Sequence, residues 1–151
     1  MGTERMRIEV IGQRLLTGRL VIAEAAIISV KVLHMKAETY AKQKVCYGLF
    51  GETFLYSMSQ LRVVFDESCA KLERLIGFVC AVEEKLNVYL RRGEISDPAL
   101  VDAISVCKIR AIAVSIESTL ALRLEVGSYA LMHGTGFELM DMLLCCKFAE
   151  G

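Results

Sequence analysis

The sequence predicts an all-α fold, an antiparallel bundle of three long helices and a short fourth. Two observations lead to this prediction. The 151 residues include one proline and no tryptophan, a composition that favours long helices over a many-stranded sheet. Apolar residues also recur at spacings of three and four over long stretches, as they do on the buried face of a helix. The length suits one domain with a substantial core.

The first predicted helix runs from about Thr17, a plausible N-cap, to about Cys46, and Gly48 and Gly51 bracket the turn that follows. Residues 1–16 form either a frayed lead-in segment or an early helix start, so the bundle domain is assigned to residues 17–151. Glu24, Lys31 and Glu38 recur every seven residues and mark a solvent-facing stripe. The predicted buried face of this helix comprises Ala23, Ala26, Ile27, Val30, Leu33, Ala37 and Tyr40.

The second predicted helix runs from about Phe54 to Arg92, with Thr53 as a possible N-cap and Gly93 as its C-cap. Gly77 lies inside this helix, at a cost of about 1 kcal/mol relative to alanine. Either a close approach of two helices or a kink would explain that glycine.

The third predicted helix begins at Asp97, a natural N-cap, with Pro98 at the first helical position, and continues to about Met132. Apolar or small residues cover most of its circumference, which predicts a central, buried helix. Its charged residues form either a narrow solvent-exposed strip or internal ion pairs: Lys108, Arg110, Glu117, Arg123 and Glu125. A glycine-containing turn, HGTGF, then leads into a short helix from about Glu138 to Lys147.

Charge and composition exclude several classes of function. The 18 basic residues balance the 18 acidic residues, so no electrostatic footprint points to nucleic acid or an anionic membrane. The N-terminal MGTERMRIEV is charged where a signal peptide needs an apolar core. Apolar residues make up 54 % of the chain, above the usual 45–50 %, which predicts a large surface covered by a partner, either a second copy or a missing domain.

Cysteine and histidine give little sign of a catalytic or metal site. None of the six cysteines forms a C-x-x-C motif, so they are interpreted as reduced, structural thiols of an intracellular protein. His34 shares a face with Ile27 and Ala41, as a core or interface histidine would. His133 opens the glycine turn, where a structural role is the commoner one. The sequence contains no nucleophile elbow, P-loop or dinucleotide glycine motif.

Three segments in order carry a resemblance to a known family. The first helix opens with Arg19–Ala23, RLVIA, and closes with Tyr40–Lys44, YAKQK, followed by Tyr47 and Gly48. HGTGF follows the third helix, and CKFAEG closes the chain. Together they resemble the C-terminal helical domain of the acyl-CoA dehydrogenase and acyl-CoA oxidase family, over roughly residues 17–151. The two domains that precede this one in the family are absent from the sequence.

The resemblance implies flavin chemistry, the α,β-oxidation of acyl-CoA thioesters with FAD. By position Glu150 would be the catalytic base, and the cofactor-binding residues would be Lys44, Tyr47, Gly134 and Gly136. Lys44 replaces the family's arginine, and the family's glutamine and first turn glycine are replaced by Cys46 and His133. The resemblance further implies a dimer or tetramer and a mitochondrial or peroxisomal location. The isolated chain is expected neither to retain FAD nor to oxidise acyl-CoA.

Two alternatives remain open at this point. The first is a non-enzymatic helical module of the same lineage, kept for self-association or for binding a partner. The replacements at positions 44, 46 and 133 and the excess of apolar residues favour it. The second is a small helical protein that binds lipid or coenzyme A.

Overall fold

A computed structural model describes residues 3–49 and 51–149, with side chains described from residue 11 onward. The described residues are 82 % helical, which confirms the all-α prediction. They form four α-helices and one β-hairpin: α1 (Thr3–Gln43), β1 (Val45–Gly48), β2 (Gly51–Phe54), α2 (Ser59–Arg92), α3 (Pro98–Glu125) and α4 (Met140–Cys146).

The three long helices run up, down and up. The start of α1 meets the end of α2, where Gln13 Nε2 donates to the Glu94 carbonyl at 2.6 Å. The start of α1 also meets the start of α3, where Arg19 donates to the Ser105 hydroxyl at 3.0 Å. Consecutive long helices are therefore antiparallel, while α1 and α3 lie side by side in the same direction.

α3 is the central helix of the bundle, as its all-round apolar sequence predicts. It packs along both α1 and α2 and also carries α4. The small side chains of Ala111, Ser115 and Ser118 are buried, so neighbouring helices approach α3 closely there. α2 is conventionally amphipathic, and a single face supplies its buried residues: Leu61, Phe65, Ser68, Leu72, Leu75, Val79, Val82 and Leu86.

α1 differs from its prediction at both ends. It already begins at Thr3, so the prediction of Thr17 as N-cap is wrong, and the Thr17 hydroxyl instead donates to the Gln13 carbonyl at 3.2 Å inside the helix. The helix ends at Gln43 and not at Cys46. The predicted buried face is confirmed, since six of its seven residues are buried and Tyr40 is half-buried.

The hairpin explains the early end of α1. Val45 pairs with Phe54 and Gly48 with Gly51 in an antiparallel register, and Gly51 has φ +114°, a backbone conformation that glycine tolerates best. The Leu55 amide then donates to the Lys44 carbonyl at 2.8 Å. The predicted start of α2 at Phe54, with Thr53 as its cap, is therefore wrong, because both residues lie in β2 and α2 begins at Ser59.

The third and fourth helices are shorter than predicted. α3 ends at Glu125 because Gly127, at φ +60°, breaks the helical path. A 3₁₀ turn, Gly127–Leu131, replaces the predicted last turns up to Met132. Another 3₁₀ turn, Phe137–Leu139, precedes α4.

Both predicted caps around the loop between α2 and α3 are confirmed. Gly93 adopts the left-handed conformation at φ 65°. The Asp97 carboxylate accepts from the Leu100 amide at 2.6 Å and from the Tyr89 hydroxyl at 2.8 Å. The backbone amide of Leu100 and the Tyr89 hydroxyl lower the pKa of Asp97. These local bonds stop α2 and start α3 at the predicted residues.

Gly77 lies on the exposed side of α2. A Cβ atom added there would meet no heavy atom within 4 Å. Close helix approach therefore does not explain this glycine, and the helix runs through it without interruption.

The interior divides into two clusters. The aliphatic half joins α1, α2, α3 and α4 through residues such as Leu20, Val30, Leu86, Ile104 and Leu143. The aromatic half lies at the hairpin end, and its buried residues are Leu33, Ala37, Ala41, Leu61, Phe65, Leu122, Val126, Ala130 and Phe137.

Candidate functional site

The predicted cofactor-binding residues gather around the last turns of α1, in the aromatic half. The glycine turn contacts α1 directly, because Lys36 Nζ donates to the Gly134 carbonyl at 2.7 Å. Lys44 and Tyr47 follow at the end of α1 and in β1. From residue 36 to residue 44 the axial distance is about 12 Å at 1.5 Å per helical residue. The structure thus brings these four residues to one end of the bundle.

Lys44 and Tyr47 lie on the surface of that end. Lys44 is exposed, and 83 % of the Tyr47 side chain is accessible to solvent. Neither residue has a side-chain hydrogen bond that fixes it in place among the described contacts. Both could reach a group that approaches from outside, but neither lines a closed pocket.

The glycine turn is organised by Glu138. Gly134 and Gly136 have φ +78° and +100°, and their amides donate to the two carboxylate oxygens of Glu138 at 3.0 and 2.9 Å. These bonds lower the pKa of Glu138, with its own backbone amide the largest contributor. A side chain at Gly136 would stand 3.4 Å from Leu33. The turn amides that a phosphate could bind therefore already have an acceptor within the chain.

Aromatic rings join the glycine turn to α1. Tyr129 stacks on Tyr40 with 4.0 Å between ring centroids, and it meets Phe137 edge to face. Beside them Lys42 lies 5.1 Å from the centroid of the Tyr56 ring and 2.8 Å from Glu38. An aromatic pair such as Tyr40–Tyr129 contributes about 0.5–1.5 kcal/mol of stability beyond that from the area it buries. Through Tyr129 these ring contacts connect the glycine turn to α1.

A cleft opens on the other side of the glycine turn. It has a volume of about 450 Å³, within the range of small-ligand pockets. Its polar groups are a cation on α3, the turn histidine and two carboxylates: Arg123, His133, Glu138 and Asp141. Apolar side chains of the adjoining 3₁₀ turn and α4 complete it.

The predicted catalytic residue, Glu150, lies outside the described residues, but its neighbour Ala149 is described. The side chain of Lys108, only 2 % exposed, donates to the Ala149 carbonyl. Lys108 precedes Leu122 of the aromatic half by 14 residues of α3, or about 21 Å. The chain next to Glu150 is thus held at the middle of α3, away from Lys44 and Tyr47.

The sequence did not decide whether the charged residues of α3 are exposed or internal. In the structure they have two different roles. Lys108 is internal and holds the C-terminal segment. Glu117 forms a surface ion pair with Lys71 at 2.6 Å, and Arg110 and Arg123 are exposed. A lysine within a helix that is apolar all round was the signal for an internal role.

His34 is a core histidine, as predicted. It is 8 % exposed, its Nε2 lies 2.9 Å from the Ser68 hydroxyl, and its ring meets Phe65 edge to face. Burial lowers the pKa of His34, and the nearby Glu38 partly opposes this. Because Ser68 is itself buried, no substrate can reach this serine–histidine pair.

The thiols of Cys69 and Cys107 are not poised for nucleophilic chemistry. Burial raises the pKa of Cys107 to about 11. Burial also raises the pKa of Cys69, with Glu73, Asp66 and Glu38 adding to the effect. A raised pKa leaves less of the reactive thiolate at neutral pH.

Other site classes find no support within the described part of the chain. No group of three or more metal-ligating side chains occurs there. None of the described helices is long and apolar enough to cross a membrane. Comparison with protein-family models, with curated proteins and with solved structures found no match to this chain.

Proposed function

We propose that this chain is the helical-bundle domain of a flavin-dependent acyl-CoA dehydrogenase or oxidase. The observation that supports this most is the buried Lys108, which donates to the carbonyl of Ala149 and so holds the segment that ends at Ala149 against α3. A catalytic base has to be carried by a fixed support. The residue before Glu150 has such a support on the central helix.

In this proposal Glu150 removes the α-proton of an acyl-CoA thioester. A carboxylate next to an apolar acyl chain has a raised pKa, as a general base near neutral pH requires. FAD, when bound, would accept the β-hydrogen as hydride. Lys44 and Tyr47 are exposed and suited to meet a cofactor from outside, and because they lie away from the chain next to Glu150, this would be the cofactor at another copy's active site. The amides of Gly134 and Gly136 are not suited to bind the cofactor, because they already donate to Glu138.

The test begins with a protein in which this sequence is joined to the other domains of such an enzyme. We expect it to bind flavin and to oxidise acyl-CoA. The substitution Glu150→Gln should retain the flavin spectrum and lower turnover by about 10²–10⁴-fold, the usual effect of losing a general base. The control Glu117→Gln changes a surface carboxylate and should keep wild-type turnover. Full activity of the Glu150→Gln protein would refute the assigned role.

The 151-residue chain by itself provides a second test. Since most of a flavin and acyl pocket would come from other domains, we expect the purified chain to be colourless and inactive with any acyl-CoA. Stoichiometric FAD that stays bound through gel filtration would contradict this expectation.

A second candidate function is a non-enzymatic module that binds another protein or a second copy. Exposed apolar side chains along α1 and at the end of α3 favour it, among them Val21, Ile28, Met35 and Leu124. Contiguous apolar patches on a small protein usually mark an interaction site. Sedimentation as a compact monomer at micromolar concentration would count against this candidate.

A further inference from the structure

The outer side of α1 carries an apolar stripe that the other described elements leave uncovered. Its members are separated alternately by three and four residues: Gly18, Val21, Ala25, Ile28, Val32 and Met35. Gly18 is half-buried and the other five are exposed. A three–four repeat is the spacing with which two helices pack along one another. The stripe lies on the opposite side of α1 from the buried face.

The sizes of these residues change along the stripe. Small residues, Gly18 and Ala25, lie toward its beginning, and Ile28 and Met35 lie toward its end. In an antiparallel pair of identical helices Met35 faces Gly18 of the second copy, and Ile28 faces Ala25. In a parallel pair each residue faces itself, which leaves a void at glycine and crowds methionine. Close packing therefore favours the antiparallel arrangement.

The charges beside the stripe agree with the same arrangement. Glu24 and Lys31 border it on the side of α2, where they line a groove together with Glu83. In the antiparallel register, Ala25 of one copy lies opposite Ile28 of the other. The same register places Glu24 of each copy opposite Lys31 of the other, so the charge pair forms twice. A parallel register would place Lys31 opposite Lys36 of the second copy.

Glu24 would gain from such a partner. Burial raises the pKa of Glu24, and the neighbouring carboxylate of Glu83 raises it further. No ion pair of Glu24 or Glu83 occurs among the described contacts. An ammonium group from a second copy would offset the repulsion between the two carboxylates.

We infer that two copies of this chain pack their α1 helices antiparallel along Gly18–Met35, with Glu24 of each copy facing Lys31 of the other. The occupant of the stripe is then a second copy of the chain. This inference specifies the association that the second candidate function leaves open, and it does not depend on the flavin proposal.

The first experiment is sedimentation equilibrium of the full chain. The wild type should dimerise at micromolar concentration, and Ile28→Glu should weaken the dimer by at least about 30-fold, as a central interface substitution does. Ile109→Glu on α3 is the matched control, because Ile109 is 63 % exposed and Ile28 is 58 % exposed. It should change the dissociation constant by less than about threefold. Circular dichroism checks that both variants remain helical.

The second experiment exchanges the charges. Glu24→Lys or Lys31→Glu alone replaces two attractive pairs with two repulsive ones and should weaken the dimer about tenfold. The double variant Glu24→Lys/Lys31→Glu restores opposite charges across the interface. Its dissociation constant should return to within about threefold of wild type.

Three outcomes overturn the inference in different ways. A wild-type monomer at all micromolar concentrations overturns the inference and leaves the second candidate function only as the binding of another protein. A dimer that Ile109→Glu disrupts and Ile28→Glu does not overturns the α1 interface but leaves association intact. A double charge variant as weak as either single variant overturns the antiparallel register.

Discussion

The two halves of the bundle bury different kinds of side chain. In the aliphatic half, branched side chains such as Ile104 and Leu86 interdigitate. In the aromatic half, the rings of Phe65 and Phe137 pack around α1, and His34 of α1 is buried against Phe65 with a hydrogen bond to Ser68. Aliphatic packing depends on volume, whereas a buried polar pair depends on geometry. The His34–Ser68 pair therefore adds a requirement for geometry to the packing of the aromatic half, which also holds the predicted cofactor-binding residues.

The largest expected effect tests the aliphatic half. Ile104→Ala removes a side chain with no solvent exposure and should lower the free energy of unfolding by about 2–5 kcal/mol. Urea denaturation followed by circular dichroism measures it. The exposed Val106 provides the control on the same helix, and Val106→Ala should cost less than about 0.5 kcal/mol. Equal losses for both variants would show that α3 is not the central helix.

The next largest loss of stability is expected from breaking the buried His34–Ser68 pair. Ser68→Ala leaves Nε2 of His34 without its partner in the interior and should cost about 1–3 kcal/mol. Ser29→Ala is the control, since the Ser29 hydroxyl bonds only to the Ala25 carbonyl of its own helix. If Ser68→Ala were as harmless as the control, the pair would not organise the aromatic half.

Acidification should act through the same histidine. Burial lowers the pKa of His34 below its usual value of 6.5. Below pH 6.5 this histidine therefore binds a proton more readily in the unfolded chain than in the folded chain. The contribution of neutral His34 to the free energy of unfolding is therefore fully present at higher pH. The free energy of unfolding falls as the pH drops below about 6.5, by at most about 1.4 kcal/mol per pH unit. His34→Leu should flatten the dependence between pH 7 and pH 5. An unchanged slope in this variant would contradict the assignment.

A smaller change of opposite sign is expected on the outer surface of the aliphatic half. Gly77 is exposed on α2 with open space where a Cβ atom would lie. Gly77→Ala should therefore raise the free energy of unfolding by about 0.5–1 kcal/mol. A loss of stability would instead indicate that the helix needs glycine at this position.

The smallest effect should remain local to the glycine turn. Glu138→Gln removes the carboxylate that accepts from the amides of Gly134 and Gly136. Amide hydrogen exchange at these two glycines should accelerate, while amides in the middle of α2 keep their rates. Because the pKa of Glu138 is lowered, the protection of these two amides, measured relative to their intrinsic exchange rates, should be lost in wild type only when the pH falls below the usual pKa range of a glutamate. Unchanged exchange would show that other contacts fix the turn.

Local signals in the sequence predicted much of this fold. Gly93, Asp97 and Pro98 specify the loop between α2 and α3 through interactions within a few residues. The hairpin was missed because Val45–Gly48 continues the apolar spacing of α1, and its strand character depends on pairing with Gly51–Phe54. The predicted end of α3 is too late because Gly127 lies within an otherwise apolar run, and the break becomes evident only from its φ of +60°.

The candidate site was less predictable than the fold. The order of the sequence groups Gly134 and Gly136 in one turn, but it does not show that Glu138 accepts from both amides. It also could not place the C-terminal segment against Lys108, 41 residues earlier in the chain. Contacts over such separations depend on how the helices dock.

By itself the sequence determined an all-α bundle, the caps at Gly93 and Asp97 and the buried face of α1, because helical periodicity and capping are local properties. Only the tertiary structure decided that α1 has a second apolar side without a neighbour and that Lys108 is internal. α1 carries apolar residues on both sides, and which side is covered depends on where α2 and α3 lie. The helices of one copy cover a single side of α1 and leave the stripe from Gly18 to Met35 open.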